Sequence, residues 1–147
     1  MSSSIIQPLA DLVAAKIRAL DIDLDVSAYS VDPGLSGIDS LPVGVVGLPQ
    51  IERTDPDEAE SQIGTFDWRF EIPVTFLFDL GDTATAQAQA LDTVEAFIKT
   101  VDAAALSISD PSIVDAKVVR SDPGEIVDAA RPMLSYTCTL RVLKYQT

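Results

Sequence analysis

Histidine is absent from these 147 residues, and cysteine occurs once, at Cys138. The first absence removes the commonest general acid–base side chain and the commonest metal ligand. The second rules out an internal disulfide and a thiolate zinc site, and it fits a reducing compartment. Positive charge is scarce as well: 10 Lys and Arg stand against 23 Asp and Glu, a formal charge of −13. Such a surface repels phosphate, which argues against specific nucleic-acid binding through a basic face and against an anionic membrane. No stretch is apolar for the length a membrane span needs. "MSSSIIQPLA" lacks the basic start and long apolar run of a signal peptide. The chain reads as a soluble protein made in the cytosol.

Chemical motifs are missing too. "GVVG" at 44–47 lacks the spacing and the Lys of a phosphate loop, and "GLSGI" at 34–38 is not a nucleophile elbow. "DIDLD" offers Asp21, Asp23 and Asp25 at spacing two, as at the start of a calcium loop. Val26 then stands where that loop needs glycine, and Asp32 where it needs a bidentate Glu. The other reading turns Ile22, Leu24 and Val26 inward and the three Asp outward. Cys138 falls on the inward parity of its strand and reads as a buried thiol. Carboxylates are plentiful, but no two are singled out as a catalytic pair. The expectation is a protein that is not an enzyme and takes no metal or cofactor.

What the chain does have is periodicity. "IIQPLADLVAAKIRAL" (5–20) spaces its apolar residues as an amphipathic helix, with Pro8 in the first turn. "DIDLDVSAYSVDPGLSG" predicts a short strand and then an exposed loop, with a turn at Asp32-Pro33-Gly34. "LPVGVVGLPQIERT" (41–54) reads as one strand whose prolines, 42 and 49, suggest an edge or a bulge. Asp55, Asp57, Glu58 and Glu60 then crowd into a hairpin loop or partner-facing arm. A second helix is predicted at about 83–102, started by Asp82 or Thr83, with a stripe of Leu91, Val94, Phe97, Ile98 and Val101. A shorter strand ends at Arg120, a second turn is predicted at Asp122-Pro123-Gly124, and "MLSYTCTLRVLKY" closes the chain as a long strand.

The longest signal is "GTFDWRFEIPVTFLFDL" (64–80). Phe66, Trp68, Phe70, Ile72, Val74, Phe76 and Phe78 alternate with Asp67, Arg69, Glu71, Pro73, Thr75 and Leu77 over about thirteen residues, roughly twice the usual strand length. Hairpin-joined strands make an antiparallel sheet, and one-sided helices must cover its apolar face. The reading is a single α+β domain over 1–147: a mostly antiparallel β-sheet with two long strands, covered on one face by two α-helices. Arg69 and Glu71 on the charged parity, with Arg141 on the last strand, read either as an exposed pair or as a contact to another subunit.

The run of elements resembles the tail terminator (tail-completion) proteins of long-tailed bacteriophages over nearly the whole chain. The pieces are the first helix, "LPVGVVGLPQIER", an acidic hairpin, "FDWRFEIPVTFLF", the helix "AQALDTVEAFIKTV" and the final "ARPMLSYTCTLRVLKY". The resemblance implies a virion structural protein that forms a ring, usually of six copies, at the head-proximal end of the tail tube. It would stop tube polymerisation and join tail to head, with the tube protein and a head–tail connector as partners. It also implies that DNA passes through without specific binding, which an acidic wall favours. Interface residues under this reading are Asp55, Asp57, Glu58, Glu60, Asp67, Arg69, Glu71 and Arg141. A head-completion or connector protein of the same particle has a similar outline, and a small-ligand or enzyme domain stays open beside both.

Overall fold

The computed structural model describes residues 6–22, 24–34, 37–38, 40–53, 68–127 and 132–145. In chain order its elements are α1 (Ile6–Arg18), β1 (Ser27–Tyr29), β2 (Val43–Val46), β3 (Gln50–Arg53), β4 (Trp68–Asp79), α2 (Thr83–Thr100), α3 (Ala103–Ser109), β5 (Ile113–Ile126) and β6 (Met133–Lys144). The fold is α+β. One sheet runs β1-β2-β4-β6-β5, and β3 continues the edge of β4 that β2 occupies. Only β1 and β2 pair parallel; the other ladders are antiparallel.

The alternation of β4 decides which face is covered. Phe70, Ile72, Val74, Phe76 and Phe78 point inward and are buried, beside Cys138, Leu140 and Val142 of β6. All three helices close over this face, with Leu9, Val13 and Ile17 from α1, Ala86, Ala90, Val94 and Phe97 from α2, and Leu106 from α3. Phe97 meets Phe76 edge-on at 5.1 Å. Each such aromatic contributes about 1.5–3 kcal/mol through burial. Gly44 of β2 lets α1 come close, since a Cβ there would stand 3.0 Å from Ile17 Cγ2 and 3.1 Å from Phe76.

Among the described residues, one charged side chain is buried. Lys144 is buried at the end of β6, and its Nζ donates to Asp110 Oδ2 at 2.8 Å. Asp110 also accepts from Ser112 N and Oγ. Burial raises the Asp110 pKa, but the hydrogen bonds from Lys144 and Ser112 outweigh it and hold the carboxyl below its ordinary 3.8.

Several expectations need correction. The Asp122-Pro123-Gly124 stretch is not a turn, because β5 runs straight through it to Ile126, paired with β6. β5 is an edge strand, where a missing N–H faces outward and costs no ladder bond. At Asp32-Pro33-Gly34 the turn does form, with Gly34 at φ 75 and its N–H donating to Asp32 Oδ1 at 2.8 Å. The single strand expected at 41–54 is two, β2 and β3, separated by residues 47–49. β2 is interior rather than an edge: Pro42 sits just outside it, and its carbonyl accepts from Ser27 N. The break also accommodates Pro73 in the middle of β4. Its carbonyl takes the Gly47 N–H at 2.7 Å, so its own missing N–H faces the gap between β2 and β3.

In α2 the stripe is rotated from the expected one. Asp82 caps the helix, accepting from Thr85 N, but Leu91 and Ile98 are 60% and 43% exposed while Ala86, Ala90 and Thr93 are buried. Small residues let the helix axis approach the sheet, which outweighs burying the larger pair. The cover is three helices rather than two, because α3 forms behind its own cap, Asp102. The outward face also holds a small apolar cluster at one end, where Leu77, Val43, Val45 and Met133 pack beneath Ile38.

Candidate interaction face

Strand alternation places a second set of polar side chains on the face opposite the helices. Two adjoining rows can be followed strand by strand from the pairing. Glu52 of β3 lies opposite Arg69 of β4, then Leu143 of β6 and Asp115 of β5. Beside them run Gln50, Glu71, Arg141 and Lys117. Farther along, Thr75 and Thr137 bring their hydroxyls to 3.2 Å, and Arg120 pairs with Asp122 at 2.8 Å.

Away from the strand ends, this face carries four cations, Arg69, Lys117, Arg120 and Arg141, and four carboxylates, Glu52, Glu71, Asp115 and Asp122. In a chain with 10 basic and 23 acidic residues this is a balanced surface. The surplus negative charge therefore lies elsewhere. Arg69 Nη2 donates to Glu71 Oε1 at 3.1 Å, while its Nε stands 3.8 Å from Glu52, an ion pair too long to be a hydrogen bond. Arg141 Nη2 is likewise 3.8 Å from Asp115. Among the described residues, the buried Nε atoms of both arginines have no hydrogen-bond partner.

The structure brings together Arg69, Glu71 and Arg141 of the expected interface residues. Asp55, Asp57, Glu58, Glu60 and Asp67 lie outside the described residues. Sequence reasoning missed Glu52, Asp115, Lys117 and Arg120. A register shift between Val118 and Arg120 puts Arg120 on the same face as Lys117, although they are three residues apart. Strict alternation would have sent it to the other side.

The same face has an open hollow of about 460 Å³ lined by Leu48, Gln50, Glu71, Pro73, Val119, Arg120 and Thr139. Leu48 at its rim is 92% exposed. A second hollow of about 470 Å³ lies between the segment after α1 and the end of α2, lined by Asp21, Ile22, Asp92, Glu95, Ala96, Lys99 and Thr100. Among the described residues, no group of three or more His, Cys, Asp or Glu side chains is placed to hold a metal, and no helix is long and apolar enough to cross a membrane. Asp21 and Asp25 border a segment whose Ile22, Leu24 and Val26 pack on the core. Cys138 is fully buried, and burial pushes its thiol pKa up.

No protein-family model matches this chain, and no curated protein matches its sequence.

Proposed function

We propose that this protein is a virion structural protein of a long-tailed bacteriophage: a tail terminator that forms a ring, of six copies, at the head-proximal end of the tail tube. In that place it ends tube polymerisation and joins tail to head, with the tube protein on one side and a head–tail connector on the other. The role is one of binding, not catalysis. The observation that supports the reading is a charge-balanced sheet face, left largely uncovered by the described residues, on an otherwise strongly acidic domain. Subunits that repel through most of their surface need a charge-balanced region at which to meet, and the outer strands β3 and β5 both border this one. The remaining acid suits a channel wall past which DNA moves without sticking. The order of elements in the sequence supports the same reading.

The contact between subunits is expected to bury more than roughly 1,000 Å². A head-completion connector would use the same kind of surface, and the partner bound separates the two. The test is electron microscopy of tail tubes polymerised with and without the protein. A terminator gives tubes closed at one end by a ring and halts further growth. Tubes that stay open and keep growing, with the protein bound instead to a head connector, would move the assignment to the other side of the joint.

A further inference from the structure

We infer that copies of this chain join edge to edge, β3 of one copy adding to the free edge of β5 in the next, with Glu52 opposite Lys117. The inference deepens the ring reading and rests on it for closure of the assembly, but the contact itself follows from the sheet. Among the described residues β5 pairs only with β6, and β3 only with β4, so each presents one open edge at opposite sides of the sheet. β3 runs antiparallel to β4, β4 to β6, and β6 to β5, so β3 and β5 run in opposite directions. A second copy placed beside the first in the same orientation therefore presents an antiparallel partner. It keeps its helices on the same side, so the covered face stays continuous across the joint.

The side chains agree with one register. With Glu52 across from Lys117 on the open face, Ile51 falls across from Val118 on the helix side. Ile51 is 39% exposed, and Val118 is partly buried against the core. Lys117 is exposed and has no ion pair among the described residues, while Glu52 is held only loosely by Arg69 at 3.8 Å. Length agrees as well. β3 has four residues; in this register Arg53, Glu52 and Ile51 meet Ala116, Lys117 and Val118 within the regular part of β5, and Gln50 reaches Val119 at the second register shift. Monomeric proteins blunt such edges with prolines and bulges; here register shifts flank the segment, between Ile113 and Asp115 and between Val118 and Arg120, and Asp115–Val118 between them is regular. A contact between two different edges is head-to-tail, so it builds a closed ring or an open chain and never a simple two-fold dimer.

The test introduces Glu52→Cys and Lys117→Cys, singly and together, and treats the folded proteins with a short bis-maleimide linker. The buried Cys138 stays silent, as the unaltered chain verifies. The double variant should give a ladder of covalent dimers and larger species, and the two single variants should form a covalent dimer only when mixed. Cross-linking of Lys117→Cys with itself would mean β5 meets β5 and would overturn the inference. A closed oligomer by mass that gives no cross-link would overturn this edge contact and leave the ring reading standing. Absence of both cross-link and oligomer, at high salt and with tail-tube protein present, would overturn the two together. As a check that charge pairs the edges, Lys117→Glu should abolish association, and adding Glu52→Lys should restore it.

Discussion

Replacing Asp110 by alanine should cost about 2–3 kcal/mol at pH 7, whereas replacing its partner Lys144 by methionine should cost about 1 kcal/mol or less. The asymmetry comes from where the two charges sit. The Lys144 side chain is 4% exposed and that of Asp110 29%, with 2.8 Å between Nζ and Oδ2. Without Asp110 an ammonium is left in the protein with no counter-charge, and breaking a fully buried pair this way costs about 3–5 kcal/mol. Water reaching the Asp110 side reduces that figure. Without Lys144 the carboxylate keeps Ser112 and solvent, and methionine fills the space beside the core. For a domain of this size the aspartate variant should melt about 5–10 °C lower. Acid provides a second reading. The Asp110 carboxyl is held below 3.8, so the stability it supplies is complete above that pH and is lost as pH falls through the lowered value. Lys144→Met removes one of the lowering donors and should make this acid loss shallower. Thermal and urea melts of the three proteins between pH 2 and pH 7 measure both effects. Equal costs for the two variants, or an unchanged Asp110→Ala, would refute the reasoning.

Two smaller expectations follow from the packing. Gly44→Ala should destabilise by about 1–3 kcal/mol, because the added methyl meets Ile17 and Phe76 at about 3 Å and must push α1 away from β2; a urea melt within error of the parent would contradict this. Cys138 should react with an aromatic disulfide reagent only at the rate the domain opens, since it is fully buried and burial raises its thiol pKa. Immediate stoichiometric labelling of the native protein would contradict its placement.

The pieces legible in the sequence were those set by one repeating contact. The alternation of β4 and β6 and the spacing of α1 reflect a single buried face each, and the α+β architecture follows from them. The misreadings came where a residue's cost depends on its neighbours in space. Pro123 sits in a strand because β5 is an edge, and Pro73 because β2 and β3 part beside it; neither condition is local. Alanines 86 and 90 carry the buried stripe of α2 because close approach matters more than bulk, so Leu91 and Ile98 misled. The charged sheet face was half legible. Arg69, Glu71 and Arg141 stand on clean alternation, while Arg120 reaches the same face only through a register shift, and Glu52 joins it only because β3 pairs with β4.

Self-assembly of this acidic domain along the edges of its charge-balanced sheet is the central proposal. Light scattering or native mass spectrometry across protein concentration and salt, with and without tail-tube protein, tests it most directly. Salt screens the −13 on each copy, with a Debye length of about 8 Å at physiological strength. The prediction is a discrete closed oligomer of six subunits, favoured by salt or by the tube. A monomer under every one of these conditions would contradict it.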